Sequence, residues 1–345
     1  MLTLYPNIIA FLVCALSIWL LTPLARRIGL TDLPSERKFH TSNVPLIGGI
    51  AIFLGFCFAL LTVEISLADF RSLIAVSALL ILVGILDDFH ELSPRAKLLA
   101  QIVAGILTVV WGHNQLYSLG NILFIKPLEL GYGSSLVTII AIVGIINAYN
   151  MIDGVDGLAG GMGLISIGFL CYFASLAGEV YSLIILLIFV SSLLGFLCFN
   201  FPLNKHKQAS IFLGDAGSML IGFILVWFLI SLSQSKQANV RPVDMLWLVA
   251  LPLYDVVGVV LRRIFQRCSP FKADRNHIHH LLLHYLKDPL KVCVVMYTLT
   301  GLCGLVAVLG AYYKIHEGFM FTGFIALFIS YLIINRQLWK LIQKN

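Results

Sequence analysis

Residues 135–161 read SLVTIIAIVGIINAYNMIDGVDGLAGG. The first half carries no charge and suits hydrocarbon. The second half packs Asn147, Asn150, Asp153 and Asp156 into ten positions. A carboxylate at the edge of a membrane core is costly unless water, a cation or hydrogen-bond donors satisfy it. The fold therefore depends on which kind of environment each half enters.

The rest of the chain gives the context. Of its 345 residues 59% are hydrophobic and 12% charged, with a mean hydropathy of +0.96. Soluble domains carry about 25% charge. Apolar runs recur at about 4–25, 46–64, 72–86, 96–112, 135–150, 158–176, 181–200, 216–233, 244–261, 291–313 and 317–335. About twenty apolar residues cross a hydrocarbon core as a helix. The runs lack the two-residue alternation of a membrane barrel. The expected fold is all-α: one polytopic helical membrane domain, residues 1–345, with about eleven spans. Pro6, Pro23 and Pro252 lie in or beside spans, where lipid-embedded helices tolerate them.

No basic residue precedes the first span and Arg26–Arg27 follow it, so a retained span is expected rather than a cleaved leader. Placing the N-terminus outside puts 18 of the 23 lysines and arginines on the inner side, together with the C-terminus. The net charge of +6 is then mostly a topological signal and no argument for nucleic-acid binding. Of the seven cysteines, six lie in apolar runs and Cys268 in an inner loop, and no CxxC pair occurs. They read as small packing residues.

On this topology 11 of the 17 acids and seven of the nine histidines fall on the inner side. They cluster. In DDFHELSPRAKLLAQ, Asp87 and Asp88 close the third run while Arg95 and Lys97 open the fourth. Paired carboxylates beside cations suit a divalent ion with phosphate, or a solvated turn. Magnesium takes only one or two carboxylates plus substrate oxygens. In NAYNMIDGVDGLAGG, a continued helix puts Asn147 and Asn150 on one face, and the glycines let Asp153 and Asp156 turn to the same cleft.

In IFLGDAGSMLIGF, Asp215 sits at the mouth of the eighth run, either as a helix-start carboxylate or as a metal ligand. Phe212 offers a face to a base or anchors at the interface. In RRIFQRCSPFKADRNHIHHLLLHYL, Arg262, Arg263, Arg267, Lys272 and Arg275 lead into His277, His279 and His280. That grouping favours a phosphate pocket. A zinc site on His277, His280 and His284 and simple inner-side basicity are the alternatives. Arg37, Lys38 and His40 carry a weaker signal of the same kind. Asp255, inside the ninth run, either marks function or pairs with Arg262 or Arg263.

Together DDFHELSPRAKLLAQ, NAYNMIDGVDGLAGG, FLGDAGS and DRNHIHH resemble the polyprenyl-phosphate N-acetylhexosamine-1-phosphate transferases, in the family's order and across most of the chain. The HIHH form is most similar to the branch that uses UDP-N-acetylglucosamine and undecaprenyl phosphate. The resemblance implies a multi-pass protein of the bacterial inner membrane with its active site on the cytoplasmic face. The implied reaction gives undecaprenyl-diphospho-N-acetylglucosamine and UMP with Mg²⁺ or Mn²⁺, the initiating step for surface polysaccharides such as common antigen or O-antigen. It assigns Asn150 and Asp215 to the metal, Asp156 to the uracil edge, Phe212 to stacking and Asp153 and Asn147 to the nucleotide side. Lys97 would contact phosphate. Arg263, Arg275, His277, His279 and His280 would clamp the sugar diphosphate, and Asp87 and Asp88 would position or deprotonate the lipid phosphate. A phosphate monoester is already mostly dianionic at neutral pH, so orientation by Asp87 and direct attack are expected over a covalent aspartyl intermediate.

Another UDP-N-acetylhexosamine stays open as donor, and a homodimer as assembly. The rival class is an ion-coupled transporter, against which stand polar motifs gathered at one side and the lack of an internal repeat. The topology has a direct check. A reporter that is active only in the periplasm should be silent when fused after Asn345 and active when fused in the 113–134 loop. The reverse pattern would invert the orientation.

Overall fold

A run that is apolar on every side belongs inside a bundle, because it has no polar stripe to turn outward. GDAGSMLIGFILVWFLISLS is such a run. In the computed structural model, which describes residues 4–32, 43–201, 209–235, 240–267 and 277–344, it forms the central helix α8 (Gly214–Ser233). Nearly every residue of α8 is buried.

Around α8 stand α2 (Gly48–Leu60), α3 (Arg71–His90), α5 (Ser134–Ile152) and α6 (Leu158–Leu176). Outside them lie α1 (Tyr5–Ile28), packed on α2 and on α7 (Val180–Asn200), and α4 (Pro94–Val110), packed on α3 and α5. A short α9 (Pro242–Trp247) precedes α10 (Ala250–Phe265). Then come α11 (Ile278–Leu286), α12 (Pro289–Tyr312) and α13 (Glu317–Lys344). The only sheet among the described residues pairs β1 (Thr31–Asp32) antiparallel with β2 (Val44–Pro45).

The chain is thus an all-helical, polytopic membrane protein. Among the described residues eight helices are long and apolar enough to cross a bilayer. The other three expected spans are shorter or broken. The second is 13 residues, about 20 Å at 1.5 Å per residue. The fourth is 17 residues. The ninth breaks at Leu248–Val249 into α9 and α10. That break is buried, and Ser166 Oγ of α6 donates to the Leu248 carbonyl at 2.8 Å, which satisfies one of the freed groups.

Small residues set the closest approaches, as membrane helices need where no hydrophobic drive separates protein from lipid. A Cβ at Gly84 of α3 would overlap the Ala216 backbone of α8, and one at Gly49 would overlap Gly217. Two backbone bonds, from Gly48 N to Phe212 O and from Gly49 N to Leu213 O, both 3.0 Å, dock the start of α2 on the segment leading into α8. Gly84 stands one turn before Asp87 and Asp88, so this packing delivers those acids to the mouth of α8.

Gly84→Ala should therefore lower stability by about 1–3 kcal/mol, since backbone rather than a flexible side chain must give way. Gly168→Ala, in a helix with nothing near the added methyl, should be neutral or stabilising by up to about 1 kcal/mol. Thermal unfolding of both variants in detergent checks the contrast. Equal midpoints would remove Gly84 from the role of spacer.

Candidate active site

Four segments meet where α3, α4, α5 and α8 end or begin. Lys97 Nζ lies 2.5 Å from Asp87 Oδ2 and 2.9 Å from Asp215 Oδ2, joining α4 to α3 and α8. Asn150, near the end of α5, donates through Nδ2 to Asp215 Oδ1 at 2.8 Å and to Ser218 Oγ at 3.0 Å. The first backbone N–H groups of a helix want an acceptor. The Asp215 N–H finds one in Asp88 Oδ1 at 3.0 Å. Gly214, at φ +73°, has a backbone that favours glycine, and a Cβ there would also press on Asp88 Oδ2 at 2.6 Å. Asp87 also closes the end of α3, where its Oδ1 accepts from Leu92 N at 2.8 Å.

Asp153 follows α5 directly. Burial, and then the charges of Asp215, Asp156 and Asp88, hold its carboxyl well above the usual carboxylate range. The loop behind it is braced on both sides. Gly157 N donates to Asn200 Oδ1 at 2.8 Å, Asn200 Nδ2 donates to Ile211 O at 2.9 Å, and Tyr297 Oη donates to Gly157 O at 2.6 Å. Asp156 Oδ2 accepts from Ala209 N at 3.3 Å, beside the segment that carries Phe212.

A basic half adjoins this acidic one. His277, His279 and His280 gather at the start of α11. The rings of His277 and His279 stack at 5.7 Å, and those of His279 and His280 stand 4.2 Å apart. His279 is 1% exposed, and neither of its ring nitrogens has a hydrogen-bond partner. Its Nε2 faces Gly154 so closely that a Cβ there would overlap it. Burial, and then the neighbouring His280 and His277, push the His279 imidazolium down to about 3. Arg263 is buried on the last turn of α10.

The pattern of chemistry has counterparts in known proteins. Residues 70–233 match the model of glycosyl transferase family 4. The undecaprenyl-phosphate alpha-N-acetylglucosaminyl 1-phosphate transferase of Haemophilus influenzae is 36% identical, over 96% of this chain and 94% of its own length. The chain belongs to glycosyl transferase family 4. Transferases of the same name from Pasteurella multocida (36% identical, 97% and 94% covered) and Escherichia coli K12 (32% identical, 96% and 90% covered) are similar over comparable lengths. The family 4 segment spans α3 to α8 and hence the acidic half. The histidines lie beyond it, within the near full-length match to the relatives.

For this family 4 chain, the structure brings together Asp87, Asp88, Lys97, Asn150 and Asp215, with Asp153 in their field. Asn147 turns elsewhere. Its amide pairs with Gln101 of α4, one turn deeper than Asn150. Asn147 thus meets Gln101, which itself reaches Met219 Sδ of α8 at 3.8 Å, whereas Asn150 meets Asp215 and Ser218 at the start of α8. Arg275, Lys272, Cys268, Arg37, Lys38 and His40 lie outside the described residues. Sequence reasoning misses Asn200 and Tyr297, since single amides and hydroxyls in apolar helices give no pattern of their own, and it gives no role to Gln101 and Ser218 although both close motifs it singles out. No three His, Cys, Asp or Glu side chains among the described residues converge as a metal site.

An unfolded chain protonates His279 near pH 6.5, whereas the folded one resists until about 3. The residue is thus stability-neutral at pH 7 and increasingly destabilising as pH falls below 6.5. His279→Gln should flatten the loss of stability between pH 7 and pH 5 by up to about 1.4 kcal/mol per unit. Unfolding midpoints at pH 7, 6 and 5 test this, and parallel curves for variant and wild type would refute it.

Proposed function

We propose that the chain transfers N-acetylglucosamine 1-phosphate from UDP-N-acetylglucosamine to undecaprenyl phosphate, at the cytoplasmic face of a bacterial inner membrane. The observation that supports it most is one lysine held between carboxylates of two helices, beside an amide and a buried histidine cluster. The relatives' names supply the substrates.

In the reaction an oxygen of the lipid phosphate forms a bond to the β-phosphorus, the bond from that phosphorus to the bridging oxygen breaks, and UMP leaves. Both reactants are anions, so positioning and charge neutralisation make up most of the catalysis. Lys97 meets the incoming phosphate, with Asp87 and Asp215 fixing its ammonium in place. Asp87 and Asp88 orient the lipid phosphate, and Asp87 has little proton to remove. Asp156 and Phe212 read the uracil, Asp153 and Asn147 support the nucleotide side, and Arg263, Arg275, His277, His279 and His280 hold the sugar diphosphate. Among these, Asn147 acts through Gln101 and the α4–α5 packing.

The residues suit a magnesium or manganese ion. Asp88 Oδ2 is buried without a partner, and burial followed by the repulsion of neighbouring carboxylates raises Asp153, both of which a hard divalent cation would offset. Asn150 and Asp215 would hold it, and bound there it would neutralise diphosphate charge. Two protein ligands plus substrate oxygens are ordinary for magnesium.

Purified protein given labelled UDP-N-acetylglucosamine, Mg²⁺ and undecaprenyl phosphate should release UMP and yield the lipid diphosphate sugar, identified by mass. Activity with another UDP-N-acetylhexosamine instead would change the donor. Uptake without UMP would support a transporter. Asp215→Ala should cut turnover by about 10²–10³-fold while its unfolding midpoint stays near wild type. Wild-type turnover in that variant at saturating Mg²⁺ would remove Asp215 from the metal role.

A further inference from the structure

Asp255 is an acid inside α10, 2% exposed, two turns before Arg262 and Arg263 and outside the groups assigned to the proposed chemistry. A buried carboxylate persists only with donors around it. Asp255 has three, each from a different source. His277 Nδ1 stands 2.7 Å from Oδ2, the Ile278 N–H donates to Oδ1 at 3.0 Å, and Tyr331 Oη of α13 donates to Oδ1 at 2.7 Å. Asn335 Nδ2 in turn donates to Tyr331 Oη at 3.1 Å.

Two consequences follow from elementary chemistry. A carboxylate only accepts, so Nδ1 of His277 carries the hydrogen, and the tautomer of His277 is set by Asp255 rather than by solvent. The Ile278 N–H is the first of α11, so the same carboxylate seats the positive end of that helix. With ring and backbone both held, the direction in which α11 leaves is fixed. His277 stacks on His279, and His279 faces Gly154 beside the acidic half.

We propose that Asp255 is the positioning residue of the histidine cluster. Tyr331 extends that role to α13, so that this helix supports the histidine cluster through Asp255. α13 otherwise resembles a peripheral span, with Phe319, Ile325, Ile329, Ile333 and Ile334 exposed. Tyr254 also ties α10 to α13, donating to Phe324 O at 2.8 Å. Packing alone is therefore available without Tyr331's hydroxyl, and that hydroxyl is given over to the carboxylate.

The proposal rests on the transferase reading, and the experiment separates the two. Full-length protein is compared as wild type, Asp255→Asn, Tyr331→Phe and the double variant. Steady-state kinetics, thermal unfolding and ¹⁵N imidazole spectra, with His277 assigned by substitution, are the readouts. Wild type should show His277 in the Nδ1–H form. Asp255→Asn should lose that signature and lower kcat/KM for the UDP-sugar by about 10–100-fold, as when the orienting partner of a functional histidine is removed. KM for the lipid phosphate should change less than about twofold. Tyr331→Phe should give a smaller loss, and the double variant should be no worse than Asp255→Asn alone, because both act through one carboxylate.

An Nε2–H tautomer in the wild type, or additive losses, would overturn the proposal. So would an Asp255→Asn variant that unfolds earlier yet keeps kcat/KM. Absence of UMP release from wild type would strike the transferase reading, while the tautomer signature would still decide whether Asp255 sets His277.

Discussion

Carboxylates confined within a few ångströms of one another repel, and in a medium poorer than water the repulsion is severe. α3 and α8 nevertheless bring Asp87, Asp88 and Asp215 together, because Gly84 lies against the Ala216 backbone and leaves no room to stand off. What holds the arrangement is one ammonium group. Lys97 spans Asp87 and Asp215, the start of α8 is satisfied by Asp88, and Asn150 completes Asp215. The apolar packing enforces proximity and the polar bonds make it tolerable.

That division explains what could be read from the sequence. Apolar runs separated by charged loops gave the helices and their order, since length and hydropathy are what the bilayer selects. The acidic pairs were visible because carboxylates are rare in such a chain. The break between α9 and α10 was not visible: Leu248 and Val249 are as apolar as their neighbours, and the interruption is stabilised by Ser166 from a distant helix. Nor did spacing foretell the parting of Asn147 from Asn150. Helical geometry fixes the face a residue occupies, but tertiary packing decides which neighbour covers it.

Asn200 and Asp255 show the same limit from the other side. Each is a buried polar residue in a mostly apolar helix, and each joins segments far apart in the chain. Asn200 ties the loop after α5 to the segment before α8, and Asp255 ties α10 to α11 and α13. The cost of burying a polar group makes such residues informative once their partners are known. A sequence names the group and leaves the partners open.

The charge balance of the two halves finally constrains which residues can receive anions. The acidic half contributes Asp87, Asp88, Asp153 and Asp215 against Lys97, so alone it would repel a diphosphate. On the proposed reading, compensation would come from a divalent ion on Asn150 and Asp215 and from the other half. His279 does not supply it as a cation, because its imidazolium is pushed down to about 3 and the ring is neutral at physiological pH. It offers one N–H and one lone pair from a buried ring beside Gly154, which suits direction rather than charge. Positive charge in that half would come from guanidinium groups such as that of Arg263, buried on the last turn of α10. On the proposed reading the histidine cluster would aim a phosphate attracted by the guanidinium groups, a task that depends on its being held still.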